Sequence, residues 1–518
     1  MIKSTFRMKT RITYLFIILS LFFISFYFFI TSIQKENVIK SSKKIKPPNY
    51  RYRNKVTVVK ESESSGRYVN DDHILSYKKD NKKSKSSDEE MIPYFRKYVM
   101  NTIDSVNELT NMNLLREKTE LHRMLWERVF GSDIYTSDHI LKSLLKNQMD
   151  NEPLLKLFNK VHKNLYPWIY GKRFLALDEF MGSYRGRGIV ICTGSFHFKY
   201  ALSTIDTLKN IIKTKLPIEV FYNGEEDLSM DERQTLMAYP NLYVSNLEDY
   251  FDNDIIKCRK WAIKPFALLA SRFTEVILID ADAVFIHDPT ILFKSKGYEE
   301  TGTLFFRDRT LPKKSLSNSL AWFKEWAKDP LPETKNSRFW NGISIHEMDS
   351  STVVINKEKA ILGLLSVCKL NEFAIREGMV YRHVYGDKET FWMGFDMARQ
   401  HYFMNPQPAY FIGSVKPASY SEAKTGQKLC GHIAHSLEDG DIIFWNGHLV
   451  VDKMSDSKSL LDFDSYIIEK DGDDNSKWSN DPVCYYIDND DDVIPLSEEN
   501  KIFIDMLKEK ENQFRFLD

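Results

Sequence analysis

Short apolar runs alternate with helical periodicity through the middle of the chain. Residues 189–193, 218–222 and 276–279 are runs of mostly apolar side chains, and 261–273 has the apolar spacing of a helix. Brief apolar runs between helices are typical of strands that are buried on both faces of a parallel sheet. The sequence therefore predicts an α/β domain, with helices on both faces of its sheet, over residues 183–460.

Two carboxylates separated by one residue, Asp280 and Asp282, directly follow the aliphatic run 276–279. Ligands of open α/β sheets bind at the carboxyl ends of the strands. Neighbouring carboxylates are costly there unless a cation neutralises them, and Mg²⁺ and Mn²⁺ prefer oxygen ligands. We therefore expect a divalent metal ion that binds the diphosphate of a sugar nucleotide, with a structural acidic turn as the alternative.

Aspartate-based phosphatases offer a second interpretation of the same motif. They also place two aspartates after an aliphatic strand, and Val284 fits their pattern. That class normally begins its core with this strand, whereas two strand–helix units precede it here. It also needs a later acidic pair after an apolar strand, and the pairs Gly386-Asp387, Gly440-Asp441 and Gly472-Asp473 have other settings. The transferase interpretation is favoured.

Further candidate residues surround the predicted metal strand. Small residues at the end of the first strand would let the backbone approach a nucleotide, although an ordinary turn is the alternative. A lysine one helix before the metal strand could reach a phosphate as a point charge. Two carboxylates could bind the donor sugar or stabilise positive charge on it, unless they are solvated loop residues. The small residues are Thr193, Gly194 and Ser195, the lysine is Lys264, and the two carboxylates are Asp387 and Glu389.

The N-terminus predicts the topology. Residues 12–33 are uncharged and rich in Leu, Ile and Phe, which is long enough to span a bilayer, and no cleavage site follows. The basic tail 1–11 favours a cytosolic N-terminus and a lumenal remainder. Residues 34–91 are predicted to form a flexible stem, 92–182 a helical region, and 461–518 a C-terminal extension.

Net charge and cysteine content indicate which classes of partner and which cellular compartment are compatible with the chain. The 518 residues carry a formal net charge of zero, so nothing indicates nucleic acid as a partner. None of the five cysteines forms a Cys-x-x-Cys pair. An oxidising lumen would allow up to two disulfides, with Cys192 expected to remain unpaired because it lies in an apolar run.

Several motifs resemble those of the fungal Golgi α-mannosyltransferases, and most closely the α-1,3-mannosyltransferase branch. The resemblance covers roughly residues 95–460, and the tail, anchor and stem match it too. The motifs are WAIKPF (261–266), VILIDADAVF (276–285), LFFRDR (304–309), STVVINK (351–357), YGDKETFW (385–392) and FWNG (444–447).

The resemblance implies a GT-A-like fold with a mixed central sheet, in a single-pass type II protein of the Golgi membrane. It implies GDP-mannose as donor, Mn²⁺ (or Mg²⁺) as cofactor, and retaining transfer of mannose to mannose-terminated N- or O-linked glycans. Partners could include other mannosyltransferases in a complex. An α-1,2-mannosyltransferase and a catalytically silent subunit of a mannan-synthesising complex remain alternatives.

The resemblance also implies roles for single residues. Asp280 would contact the metal and the ribose, and Asp282 would bind the metal. A histidine from the far end of the domain would complete the metal shell. We expect His435 in that role ahead of His432, with His448 as a third choice and a packed histidine as the alternative for each.

Overall fold

The computed structural model describes Pro93, Arg96 and residues 111–515, with gaps at 132–133, 312–315, 422, 438–439, 452–458, 471–476 and 481–482. All of them belong to one compact unit, Asp80–Asp518. The predicted tail, anchor and stem lie outside the described residues. Within the described part of the chain, no helix is both long and apolar enough to cross a membrane.

The described residues form fourteen strands, arranged in two sheets. In chain order they are β1 Arg187–Cys192, β2 Ile218–Tyr222, β3 Leu242–Asn246, β4 Glu275–Asp280, β5 Ala283–Phe285, β6 Thr303–Arg307, β7 Met348–Asn356, β8 Tyr410–Pro417, β9 Gln427–Ser436, β10 Ile442–Asn446, β11 Ser465–Ile468, β12 Trp478–Asn480, β13 Val483–Ile487 and β14 Ile494–Pro495.

The α-helices precede, connect and follow these strands. In chain order they are α1 Met112–Phe130, α2 Ser137–Asp150, α3 Glu152–Leu165, α4 Leu177–Met181, α5 Phe198–Asp206, α6 Met230–Met237, α7 Asn253–Ile256, α8 Ile263–Ala270, α9 Lys296–Thr301, α10 Leu316–Trp326, α11 Pro332–Lys335, α12 Lys357–Leu370, α13 Phe373–Ile375, α14 Lys388–Met397 and α15 Glu498–Arg515.

The first sheet has the order β3-β2-β1-β4-β7-β6. Strands β1 to β4 are parallel, and β7 runs antiparallel to both β4 and β6. The predicted α/β fold with a mixed central sheet is confirmed. Its three predicted strands are β1, β2 and β4, whose apolar side chains are buried because helices cover both faces.

The second sheet is antiparallel and contains eight strands, in the order β12-β13-β9-β8-β11-β14, with β10 joining β9 to β5. Strand β5 follows β4 after a two-residue turn, so the chain passes from one sheet to the other directly at the Asp280-Ala281-Asp282 motif. Strands β11 to β14 come from residues 461–518. The described part of that stretch therefore supplies four strands of the second sheet.

One disulfide, between Cys430 on β9 and Cys484 on β13, joins two adjacent strands of the second sheet. Cys192, Cys258 and Cys368 are free thiols. The prediction that Cys192 is unpaired is confirmed. Of the two disulfides that the cysteine count allowed, the described residues form one.

Helices α1 to α4 occupy the described part of the predicted helical region. Asn111 caps α1 by accepting a hydrogen bond from the Leu114 backbone, and Gly131 ends the helix with a positive φ of 87°. Trp126 and Phe158 are fully buried in its packing against α3. This apolar cluster continues under the first sheet, so the helices support the domain from one side.

Candidate active site

The carboxyl edge of the first sheet brings together the sequence motifs that are far apart in the chain. Cys192 at the end of β1 lies opposite Asp280 at the end of β4. Strand β7 runs the other way, so its beginning, near Ser350, reaches the same edge. The backbone of Asp282 is fixed from the second sheet, since its carbonyl accepts hydrogen bonds from Gly447 (3.1 Å) and His448 (2.7 Å).

Lys264 connects the carboxylates of this edge. It sits in the first turn of α8, and its Nζ lies 2.7 Å and 2.8 Å from the two carboxylate oxygens of Asp280. The same nitrogen is 3.9 Å from Asp387 Oδ2 and 3.3 Å from the carbonyl oxygen of Ser350. Ser350 Oγ donates a hydrogen bond of 3.2 Å to Asp387. We call Lys264, Asp280, Asp282, Ser350 and Asp387 the acidic cluster.

The acidic cluster has more negative than positive charge. Burial raises the pKa of Asp280 to about 7, Lys264 opposes the rise, and the carboxylates of Asp282 and Asp387 add to it. Burial also raises the pKa of Asp387, although Lys264 counters the effect. The cluster thus contains three carboxylates and one lysine. A divalent cation would neutralise the surplus of negative charge, and carboxylate oxygens are suitable ligands for Mg²⁺ or Mn²⁺.

His435, which was expected to complete the metal shell, lies against a carboxylate of β7. Its Nε2 lies 2.8 Å from Asp349 Oδ2, and its ring packs against Phe306 and Phe444. Burial would raise the pKa of Asp349, but the hydrogen bond from His435 lowers it below the usual value. The described residues contain no group of three or more His, Cys, Asp or Glu side chains that could hold a metal. The role of His435 as a metal ligand stays a prediction.

The two other histidine candidates also have protein partners. His432 Nε2 lies 3.1 Å from the Val450 carbonyl oxygen. The backbone of His448 contacts Asp282, but its ring lies against Tyr200 and 3.5 Å from Glu511 Oε2. Of the three candidate histidines, His448 is thus the one whose backbone contacts the Asp280-Ala281-Asp282 motif. Its identity as a ligand stays a prediction.

The conformation of the small residues Thr193, Gly194 and Ser195 after β1 depends on contacts within their own loop. A side chain on Gly194 would collide with the carboxylate of Asp227, and the Ser195 hydroxyl donates a hydrogen bond to Glu232. Thr193 is buried and bonded to the carbonyl of Gly194. The glycine is therefore required by the loop itself, and the role of these residues in nucleotide binding stays a prediction.

Asp387 and Glu389, predicted to act on the donor sugar, have different surroundings. Asp387 belongs to the acidic cluster. Glu389 is fully buried, accepts hydrogen bonds from the backbone of Glu347 (3.2 Å) and from Trp392 Nε1 (2.7 Å), and has no face toward the solvent. These contacts give the Glu389 carboxylate a supporting place behind Asp387, and its predicted role at the donor sugar stays a prediction.

Sequence inspection missed several polar residues of this edge. Ser350 and Asp349 were not recognised, because only the antiparallel direction of β7 brings its first residues to the ends of the parallel strands. Lys388, at the start of α14, lies 2.7 Å from Asp308 Oδ2. Arg309 is 3.7 Å from the other oxygen of Asp308. Although burial would raise the pKa of Asp308, Lys388 and Arg309 hold it well below its usual value.

Known proteins match the part of the chain that builds this edge. Residues 186–436 match the model of a protein family described as "Mannosyltransferase putative". This stretch, just under half of the chain, is therefore similar to that family. The predicted resemblance is confirmed.

Individual mannosyltransferases align with about half of the chain. "Alpha-1,3-mannosyltransferase MNT3" of Saccharomyces cerevisiae is 28% identical over 314 residues, which are 53% of this chain and 48% of that protein. "Putative alpha-1,3-mannosyltransferase MNN1" of Candida albicans is 25% identical over 324 residues, 52% of this chain and 39% of that protein. The chain thus spans about half or less of the length of these relatives.

Among solved structures, the mannosyltransferase Ktr4p of Saccharomyces cerevisiae in complex with GDP is 11% identical to this chain. The match covers 60% of this chain and 84% of that one, with a TM-score of 0.28.

Proposed function

We propose that this chain is a retaining α-1,3-mannosyltransferase that moves mannose from GDP-mannose to mannose-terminated N- or O-linked glycans. The observation that carries the proposal is the acidic cluster. It lies within the region that matches the mannosyltransferase family, at the carboxyl edge of the first sheet. The names of the relatives MNT3 and MNN1 support the α-1,3 linkage, and a GT-A-like architecture agrees with the mixed sheet.

The residues of the acidic cluster fit a divalent cation, Mn²⁺ or Mg²⁺, held by Asp280 and Asp282. When bound, such an ion neutralises the charge of a nucleotide diphosphate as it leaves the sugar. Lys264 fixes both oxygens of Asp280 and so keeps the carboxylate in one orientation. The third ligand is not assigned.

Asp387 is suited to positioning and not to covalent attack. One of its oxygens accepts from Ser350 and faces Lys264, and its side chain is buried. Its negative charge would balance Lys264 and stabilise positive charge that develops on the donor sugar. We infer that the leaving phosphate and the acceptor react on the same face of the sugar, with no obligatory covalent intermediate. A β-mannoside product would contradict this.

The decisive assay uses the purified full-length chain in detergent, with GDP-mannose, Mn²⁺ and defined oligomannosides, and NMR of the product. We expect an α-1,3-linked mannose. An α-1,2 linkage would replace the linkage proposal only. Absence of transfer with retained GDP-mannose binding would favour the silent-subunit alternative, and release of phosphate from phosphomonoesters without GDP-mannose binding would reject the transferase.

We further propose a Golgi membrane protein whose catalytic domain is lumenal. The disulfide between Cys430 and Cys484 supports an oxidising compartment. Protease added to intact microsomes should spare the chain beyond about residue 35, as an uncleaved anchor after a short basic tail predicts. Digestion of the main domain without detergent would reject the lumenal orientation.

A further inference from the structure

Two aromatic side chains lie exposed beside the acidic cluster. Trp261 is 41% exposed and Tyr385 is 63% exposed, and their ring centroids are 5.1 Å apart at an interplanar angle of 48°. Both belong to the motifs that carry the family resemblance. The other tryptophans of those motifs, Trp392 and Trp445, are fully buried, so exposure separates the first pair from the core. Large aromatic side chains bury apolar area on folding, and an exposed pair forgoes that gain.

The chain places this pair next to the acidic cluster. Trp261 precedes Lys264 by three residues, at the entry to α8. Gly386, with a positive φ of 68°, lies so close to the indole that an added Cβ would be 3.0 Å from its Cε3 atom. Tyr385 and Asp387 flank this glycine. The turn thus presents the phenol ring outward and the carboxylate inward.

The loop that carries Trp261 has a strained backbone. Lys257 and Lys260 have positive φ values of 39° and 51°, which lysine adopts only at a cost in free energy. Such strain persists only where the surrounding structure holds it, and it is concentrated at functional sites.

Two anchors hold this loop. The buried guanidinium of Arg376 donates to the carbonyls of Ile256 (2.7 Å) and Lys257 (2.5 Å). On the other side, Asn223 Nδ2 donates to the carbonyl of Cys258 (3.0 Å). The exposed indole is therefore pre-organised, which lowers the entropy lost when it binds a ligand.

We propose that Trp261 and Tyr385 form an acceptor platform, on which the terminal mannoside of the acceptor glycan stacks. This inference rests on the proposed function. A pyranose ring has an apolar face of C–H groups and a polar hydroxyl rim. The tilted rings match the apolar face, and Lys388, whose Nζ lies 5.9 Å from the Tyr385 centroid, offers a polar group at the edge.

The test compares acceptor and donor kinetics in the full-length chain. Trp261→Ala and the double variant with Tyr385→Ala should raise the KM for an oligomannoside at least about tenfold, with the KM for GDP-mannose unchanged within about twofold. Trp261→Phe should keep most of the acceptor affinity because it keeps a ring. Tyr420→Ala removes another exposed aromatic, 81% exposed after β8, and should behave as wild type.

Three outcomes would overturn the platform. The first is an unchanged acceptor KM in the double variant. The second is an equal increase in the KM for acceptor and for GDP-mannose, with Trp261→Phe as impaired as Trp261→Ala, and the third is loss of a protein partner with normal acceptor kinetics. If the wild type transfers no mannose, the proposed function fails and the platform is tested alone. Saturation-transfer NMR of methyl α-mannoside should then show binding that the double variant loses, and equal signals would overturn the platform.

Discussion

Two buried lysines at opposite ends of the first sheet show how differently the fold treats charge. Lys264, at the carboxyl edge, contacts Asp280 and faces Asp387. Lys357, at the other end, donates to neutral oxygens of the described residues, among them the Ser271 carbonyl at 2.6 Å, and its Nζ lies 4.2 Å from the Tyr184 centroid. Burial lowers the pKa of Lys357 to about 7, whereas at Lys264 the carboxylates outweigh burial and raise the pKa.

The difference distinguishes a structural end from a functional one. At Lys357, neutral oxygen atoms satisfy the ammonium group, and losing its proton costs little. At the acidic cluster, carboxylates outnumber the lysine, which lowers stability unless a ligand supplies positive charge. A fold keeps such a surplus where binding compensates for it.

The largest expected effect comes from removing charge at the functional end. Asp282→Asn keeps the size of the side chain, and we expect mannosyl transfer to fall at least about a hundredfold, since a metal ligand contributes several kcal/mol to the transition state. Thermal stability should hold or rise slightly, because one of several repelling carboxylates is gone. Initial rates and thermal melts measure both.

Asp441→Asn provides the matched control, because Asp441 is an exposed carboxylate at the start of β10. It should leave the transfer rate unchanged. If Asp282→Asn transferred mannose as fast as this control, the surplus charge would have no role in the reaction and the contrast between the two ends would lose its functional meaning.

The second prediction exchanges each lysine for methionine. Lys264→Met leaves Asp280 and Asp387 buried without their cation, and breaking a buried ion pair typically costs about 3 kcal/mol or more. Lys357→Met removes hydrogen bonds to neutral oxygens and the contact of the ammonium group with the Tyr184 ring, a loss of about 1–2 kcal/mol. Urea unfolding at pH 7.5 without added metal should rank the variants in this order. Equal losses would show that the two lysines have the same structural role.

The sequence predicts the parts of this site that depend on local patterns, and it does not predict the parts that depend on contacts between distant segments. Asp280 and Asp282 were identified because a local pattern, an aliphatic run followed by carboxylates, fixes their place at a strand end. The environment of His435 depends on β9 packing near the start of β7, a contact over 86 residues. Glu389 looked like a loop carboxylate because its partner Glu347 comes from a distant segment.

The third prediction concerns pH and the structural end. The folded pKa of Lys357 lies at about 7, below the usual value of 10.5 for a lysine, so between these values the unfolded state binds more protons. Stability therefore rises with pH through this window and loses this contribution as pH falls toward 7. Between pH 7.5 and 9 the gain should be about 2 kcal/mol. Denaturant titrations measure it, and Lys357→Met should remove that slope. An identical slope in both proteins would reject the assignment.

The smallest effect is expected at Glu389, which the sequence placed beside Asp387 as a catalytic candidate. Its carboxylate accepts from Glu347 and Trp392 and does not face the cluster. Glu389→Gln keeps the shape of the side chain but weakens its charge-assisted hydrogen bonds. The free energy of unfolding should therefore fall by about 1 kcal/mol.

The transfer rate per folded molecule should remain within about threefold of wild type in Glu389→Gln, since the change lies behind the site. Asp387→Asn is the matched comparison, because it removes one charge two residues away and within the acidic cluster, and it should lower the rate by at least about tenfold. Rates are measured below the melting temperature of both variants. If Glu389→Gln lost as much activity as Asp387→Asn, the functional edge would have to extend to Glu389, and the division between reacting and supporting carboxylates would be wrong.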